Sequence, residues 1–243
     1  MCANNISKSQ LDDIGSNSYS FWGLQSIGGY RAVKLRNYQD LMDIGGFRRP
    51  KILNMLNVKY LLTDKAVKNS SFKEIDGISG IYKNLDVLPR AWFVDNLINV
   101  TSQKSSLSEV MDLSFRPKEK SVVVDYNGPN LTNGNLSEIS EVVINNNKVR
   151  IQCSTNGGSL LVLSEIYYEP GWKCKIDGKS SEIYQTNHVL RSVYVPDGNH
   201  EILFYFDDST WITARFISRS SFYITIFLIC FLFYRTKKVN FQK

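Results

Sequence analysis

Two histidines are the first residues to weigh for chemistry, because imidazole is the side chain that titrates near neutral pH. His188 and His200 each stand beside an asparagine at the end of a strand-like run. Neither has an acid or nucleophile at motif spacing, so both are expected to be surface or capping residues rather than a base or a ligand. The chain has no G-x-S-x-G elbow, no phosphate-cradling G-x-x-x-x-G-K-S/T and no G-x-G-x-x-G opening a helix, and no catalytic residue is assigned. Asp12 and Asp13 lie in a polar lead-in and read as a solvated loop rather than a cation pair. Asp40 and Asp43 share a helix face and solvate it.

Cys2, Cys153, Cys174 and Cys230 form no C-x-x-C pair, so neither a metal site nor a cofactor is expected. Cys153 and Cys174 are the only pair open to a disulfide, outside the cytoplasm and only if their strands are neighbours. Two buried free thiols is the plainer expectation. Two clusters are less generic. Gly28-Gly29-Tyr30-Arg31 joins backbone freedom to an aromatic ring and a guanidinium, which suits phosphate or sugar, and equally suits a turn with a packed tyrosine. Tyr167, Tyr168 and Trp172 surround a Glu-Pro-Gly turn and could stack on a sugar ring, or plug the end of a sandwich. Tyr30, Arg31, Tyr167, Tyr168 and Trp172 are the candidate glycan or phosphate contacts.

The elements that would position these residues change character along the chain. Leu35, Tyr38, Leu41 and Met42 line one face of a helix that Gly45-Gly46 stops, and Pro50 starts another with Ile52, Leu53 and Leu56 inward. Strands are expected at 58–63, 80–83 and 91–94. Ser106, with Glu109 three residues on, suggests a capping box for a helix through Leu113. From residue 121 the sequence becomes closely spaced strands at 122–126, 141–144, 149–153, 160–164, 172–176, 189–195 and 201–206, separated by Asn, Gly and Pro-Asp-Gly turns. The expected fold is α+β followed by an antiparallel β-sandwich of jelly-roll or immunoglobulin-like type, with one C-terminal transmembrane helix. The expected divisions are an irregular lead-in at 1–29, a small α+β subdomain at 30–115, the sandwich at 120–208, the transmembrane helix at 216–234 and a basic cytoplasmic tail at 235–243.

The run 222–234 is apolar apart from Thr225, and extended back to Phe216 it makes a helix of about 28 Å, just enough to cross a bilayer. A buried core helix is the alternative, but no polar face is visible. The net charge of +6 comes from Arg215, Arg219, Arg235, Lys237, Lys238 and Lys243. The rest of the chain balances at 23 basic and 23 acidic residues, which removes the case for nucleic acid. Four of the six cations follow Tyr234, so the tail is expected in the cytoplasm and the bulk outside. The first ten residues have no apolar core of a signal peptide, so the expectation is the end of a longer polytopic protein whose earlier helices carry the domain across. The competing arrangement is a tail-anchored interaction protein with its bulk in the cytoplasm.

Five segments carry a family resemblance: GYRAVKLRNYQD at 29–40, LNMLNVKYLLT at 53–63, LPRAWFV at 88–94, LVLSEIYYEPGWKCKIDG at 161–178 and VYVPDG at 193–198. With the final helix they resemble the C-terminal region of the YfhO-like bacterial membrane protein family, over about residues 21 to 235. The resemblance implies a polytopic protein of the bacterial cytoplasmic membrane, similar to membrane glycosyltransferases that use lipid-linked sugars. This chain would be its extracytoplasmic C-terminal module, accessory to envelope glycan or polymer glycosylation and not catalytic by itself. Its implied partners are the lipid bilayer, upstream transmembrane helices or a membrane glycosyltransferase, and an envelope glycan.

Overall fold

The computed structural model describes residues 23–28, 34–132 and 137–240, with 235–240 described for their backbone only. Tyr30 and Arg31, and with them the reading of the Gly28–Arg31 cluster, lie outside the described residues, as do Asp12 and Asp13.

The first half opens with α1 (Arg36–Asp43), a 3-10 turn at Gly46–Arg48 and α2 (Pro50–Met55). Gly45 takes φ 73°, and a side chain on Gly46 would stand 2.6 Å from the Leu41 carbonyl oxygen, so the glycine pair is what lets the chain turn this tightly. Pro50 sits at the first turn of α2, where its missing N–H costs nothing. A three-stranded sheet follows, from β1 (Tyr60–Leu62), β2 (Phe72–Ile75) and β3 (Ile78–Asn84), in the order β1-β3-β2. Next come β4 (Ala91–Val94), β5 (Asn96–Val100) and α3 (Gln103–Met111). The cap of α3 is Ser102, whose hydroxyl accepts from the Ser105 N–H at 3.1 Å. Ser106, expected as the cap, is instead fully buried inside the helix. The hydroxyl that can reach an orphan N–H is the one preceding the first helical turn.

The remaining strands are β6 (Lys120–Val124), β7 (Glu138–Asn145), β8 (Lys148–Thr155), β9 (Ser159–Ile166), β10 (Trp172–Ile176), β11 (Lys179–Ser181), β12 (Tyr184–Thr186), β13 (Leu190–Val195) and β14 (Gly198–Phe206). They build a six-stranded sheet in the order β4-β9-β13-β12-β6-β5 and a five-stranded sheet in the order β11-β10-β14-β8-β7. One pair departs from the antiparallel rule: β5 and β6 run parallel, and α3 makes the crossover that a parallel pair requires. Strands β4 and β5 thus share a sheet with strands from beyond residue 120.

Both faces of the six-stranded sheet are covered. Leu161, Leu163 and Val193 meet Ile151, Ile202 and Phe204 of the five-stranded sheet. On the opposite face Leu160, Val162 and Val122 pack against Leu41, Ile52 and Val110 of the helices. Strand β9 is therefore buried on both sides, which explains its unbroken apolar run in place of alternation. Cys153 and Cys174 are buried and free. They flank β14 opposite His200 and Phe204, four residues or about 13 Å apart along the strand, too far for a bridge.

Asp207 and Asp208 separate β14 from α4 (Ser209–Asn240). The 26 residues Ser209–Tyr234 are long and apolar enough to cross a membrane, and none of the span is buried against the rest of the molecule. The alternative of a buried core helix fails on that observation.

Candidate functional site

The chain passes from β9 to β10 through residues 167–171, crossing from one sheet to the other at the end where β14 finishes. This loop is fastened to the start of the long helix. Trp172 pairs with Phe206, their rings meeting edge to face at 5.8 Å. The Asp207 N–H donates to the Gly171 carbonyl at 2.6 Å. Gly171 has φ 86°, and a side chain there would stand 2.6 Å from the Phe206 ring, so only glycine fits this turn.

Of the three aromatics, Trp172 already has a partner: the Arg191 guanidinium lies 4.1 Å from its ring centroid. Arg191 is 3% exposed, donates from Nη2 to the Ile166 carbonyl at 2.8 Å, and leaves Nε and Nη1 without a protein partner. Burial pushes its pKa down to about 10, against the pull of nearby Glu165, so it remains a cation at neutral pH. Glu165 itself forms an ion pair with Arg90. Tyr167 is half-buried with its N–H donated to the Val189 carbonyl, and burial first, then Glu169 and Glu182, raises its phenol pKa. Tyr168 is 44% exposed and is the ring most open to a ligand.

The end of β9 that leads into this turn lines a cleft of about 460 Å³ through Glu165 and Ile166, together with Ser26, Tyr38, Asn57, Lys59 and Arg90. Tyr38 donates its hydroxyl hydrogen to the Ile27 carbonyl at 2.6 Å. Asn57, at φ 55°, donates to the Leu88 carbonyl at 2.6 Å. The cleft is continuous through Asn57, Lys59 and Arg90 with a shallower groove reaching Pro89 and Ile144. Its donors and acceptors suit hydroxyl-rich or anionic groups. Sequence spacing offered no signal for Arg90, Glu165 and Arg191, because each is an isolated charge that only the sheet register brings together.

The histidines lie elsewhere. His188 is buried, 1% exposed, rather than a surface or capping residue. Its backbone adopts φ 68° in the tight turn from β12 to β13, which directs the ring inward beneath the helices. Neither ring nitrogen completes a hydrogen bond. Burial lowers its pKa, with Asp40 and the backbone of Asn37 and Gln103 opposing. His200 Nδ1 pairs with Asp177 Oδ2 at 2.7 Å, and Asp177 Oδ1 accepts from the Glu201 N–H, tying the β10–β11 turn to β14. The hydrogen bonds from His200 and Glu201 hold the Asp177 carboxyl below the usual range. Among the described residues no three His, Cys, Asp or Glu gather to hold a metal ion.

Residues 131–218 match the family model described as Bacterial membrane protein YfhO. The match runs from ahead of β7, through the aromatic turn, into α4. No curated protein and no solved structure matches the chain.

Proposed function

We propose that the chain is an extracytoplasmic C-terminal module of a membrane protein, a reading supported by the match of residues 131–218 to the YfhO family model and by the apolar span of α4. In this reading it is accessory to glycosylation of an envelope glycan or polymer, and positions the acceptor without catalysing transfer. The observation that supports it is the aromatic turn at the end of the sandwich from which α4 leaves, with Tyr168 exposed, Arg191 over the Trp172 ring, and Glu165 and Ile166, which lead into the turn, lining the cleft. Exposed aromatic rings stack on sugar faces, and amide, hydroxyl and guanidinium groups bond sugar hydroxyls or polymer phosphates. The basic residues after Tyr234 support a cytoplasmic tail and an external domain.

Two outcomes test this reading. Purified chain in detergent, given a polyprenyl-phosphate sugar donor and acceptor polymer, should transfer no sugar by itself. Unaided transfer would overturn the accessory role. Immobilised chain should retain envelope polymer, and Tyr168→Ala should weaken that retention by about fivefold, the worth of one stacked ring. Unchanged retention would remove the turn from the site.

A further inference from the structure

The end of the sandwich that carries the aromatic turn differs from the other end in ways that bear on the bilayer. We infer that this end, formed by the 145–147 and 167–172 turns, lies against the headgroup layer of the membrane that α4 crosses. The inference rests on α4 spanning the bilayer and is independent of which side the domain occupies.

The tether is short and fixed at its root. Two residues between β14 and α4 reach about 7 Å at full extension. The residue entering that link, Phe206, is held by pairing with Trp172 and by the N–H it donates to the Asn147 carbonyl at 2.9 Å. Both turns are therefore bonded to the segment that leads into the helix. The far end, at the start of β14, is eight residues or about 27 Å away along the strand.

The surfaces of the two ends also differ. Near the helix, Tyr168 is 44%, Ile144 43% and Trp211 66% exposed. Tyrosine and tryptophan favour the interface, where the ring meets acyl chains and the polar edge meets water and headgroups. None of the exposed large apolar residues among those described lies in the far turns at 155–158 or 196–199, where Asn156, Pro196 and Asp197 face solvent. Charge does not supply the attraction: Lys148 and Lys173 at the near end stand against Glu169, Asp207 and Asp208. Contact should therefore form on an uncharged membrane.

The test uses the full chain in vesicles of phosphatidylcholine, with single cysteines carrying a fluorophore. Cys230 in α4, with Cys2 replaced by serine, serves as one reporter, and Tyr168→Cys, Asn146→Cys and Asn156→Cys, each with Cys2 and Cys230 replaced by serine, serve as the others, while Cys153 and Cys174 are buried from the label in all of them. Labels at 168 and 146 should lose emission when the lipid carries a headgroup nitroxide, the label at 156 should keep its emission, and Cys230 should be quenched by an acyl-chain nitroxide. Labels at 168 and 146 as bright as that at 156, with Cys230 quenched, would show a domain that stands off the bilayer and would overturn the inference. An unquenched Cys230 would instead overturn the spanning of α4, and the inference with it.

Discussion

Arg191 lies on the same side of β13 as Val193 and Val195, which puts a guanidinium at the edge of the apolar layer between the sheets. The Trp172 ring covers it, while the Glu165 carboxylate is engaged by Arg90. Removing the cover should therefore cost more than removing the cation. Trp172→Ala, which deletes a large side chain and exposes a buried charge, is expected to destabilise by about 3 kcal/mol. Arg191→Met keeps most of the volume and removes a desolvated charge, so it should cost less than about 1 kcal/mol. Urea denaturation of both variants checks the order, and the reverse order would contradict the account of the cap. His188 gives a pH signature at the same scale. Its folded pKa lies below the ordinary 6.5, so as pH falls the unfolded chain takes up the proton first. Its contribution is fully present above 6.5 and is lost as pH falls from there through the folded pKa. Denaturation midpoints measured from about pH 7 to pH 5 should fall in the native chain and flatten in His188→Gln.

At the scale of elements, α3 offers a direct contrast between a motif and the geometry that uses it. Ser102→Ala should cost about 1 kcal/mol by orphaning the Ser105 N–H. Ser106→Ala should be neutral or slightly stabilising, because that buried hydroxyl has no hydrogen-bond partner. Equal losses in thermal denaturation would return the cap to Ser106. The seven strands expected after residue 121 all occur, since their β-branched runs and turn residues are local signals. Strand β12 was not legible: Gln185 and Thr186 are polar, and they are buried because the Thr186 hydroxyl pairs with Ser192 and the Gln185 amide with Gln103. Strand β5 was missed for a different reason, as Asn96 and Asn99 resemble loop residues until the parallel partner β6 satisfies the backbone. The inward turn of His188 was hidden because it depends on a positive φ that histidine rarely takes.

At the scale of the molecule, the fold joins a layer of helices, a doubly covered six-stranded sheet, a five-stranded sheet and one long exposed helix. The apolar patterns of sandwich and helix were readable in sequence, because burial and bilayer both select by hydropathy. The candidate site was readable only in part. The turn holding Tyr167, Tyr168 and Trp172 stands out by composition, whereas Arg90, Glu165 and Arg191 come together through pairings of distant strands. That meeting falls where β14 hands over to α4, which links the candidate site to the membrane and makes sidedness the central question. The most direct measurement is labelling of Asn156→Cys, at the end of the sandwich away from α4 and with Cys2 and Cys230 replaced by serine, using a membrane-impermeant maleimide in intact cells. The competing thiols Cys153 and Cys174 stay silent, burial holding them at about 11 and about 12. The account predicts labelling in intact cells to the level reached after lysis; labelling that requires lysis would put the domain in the cytoplasm and contradict it.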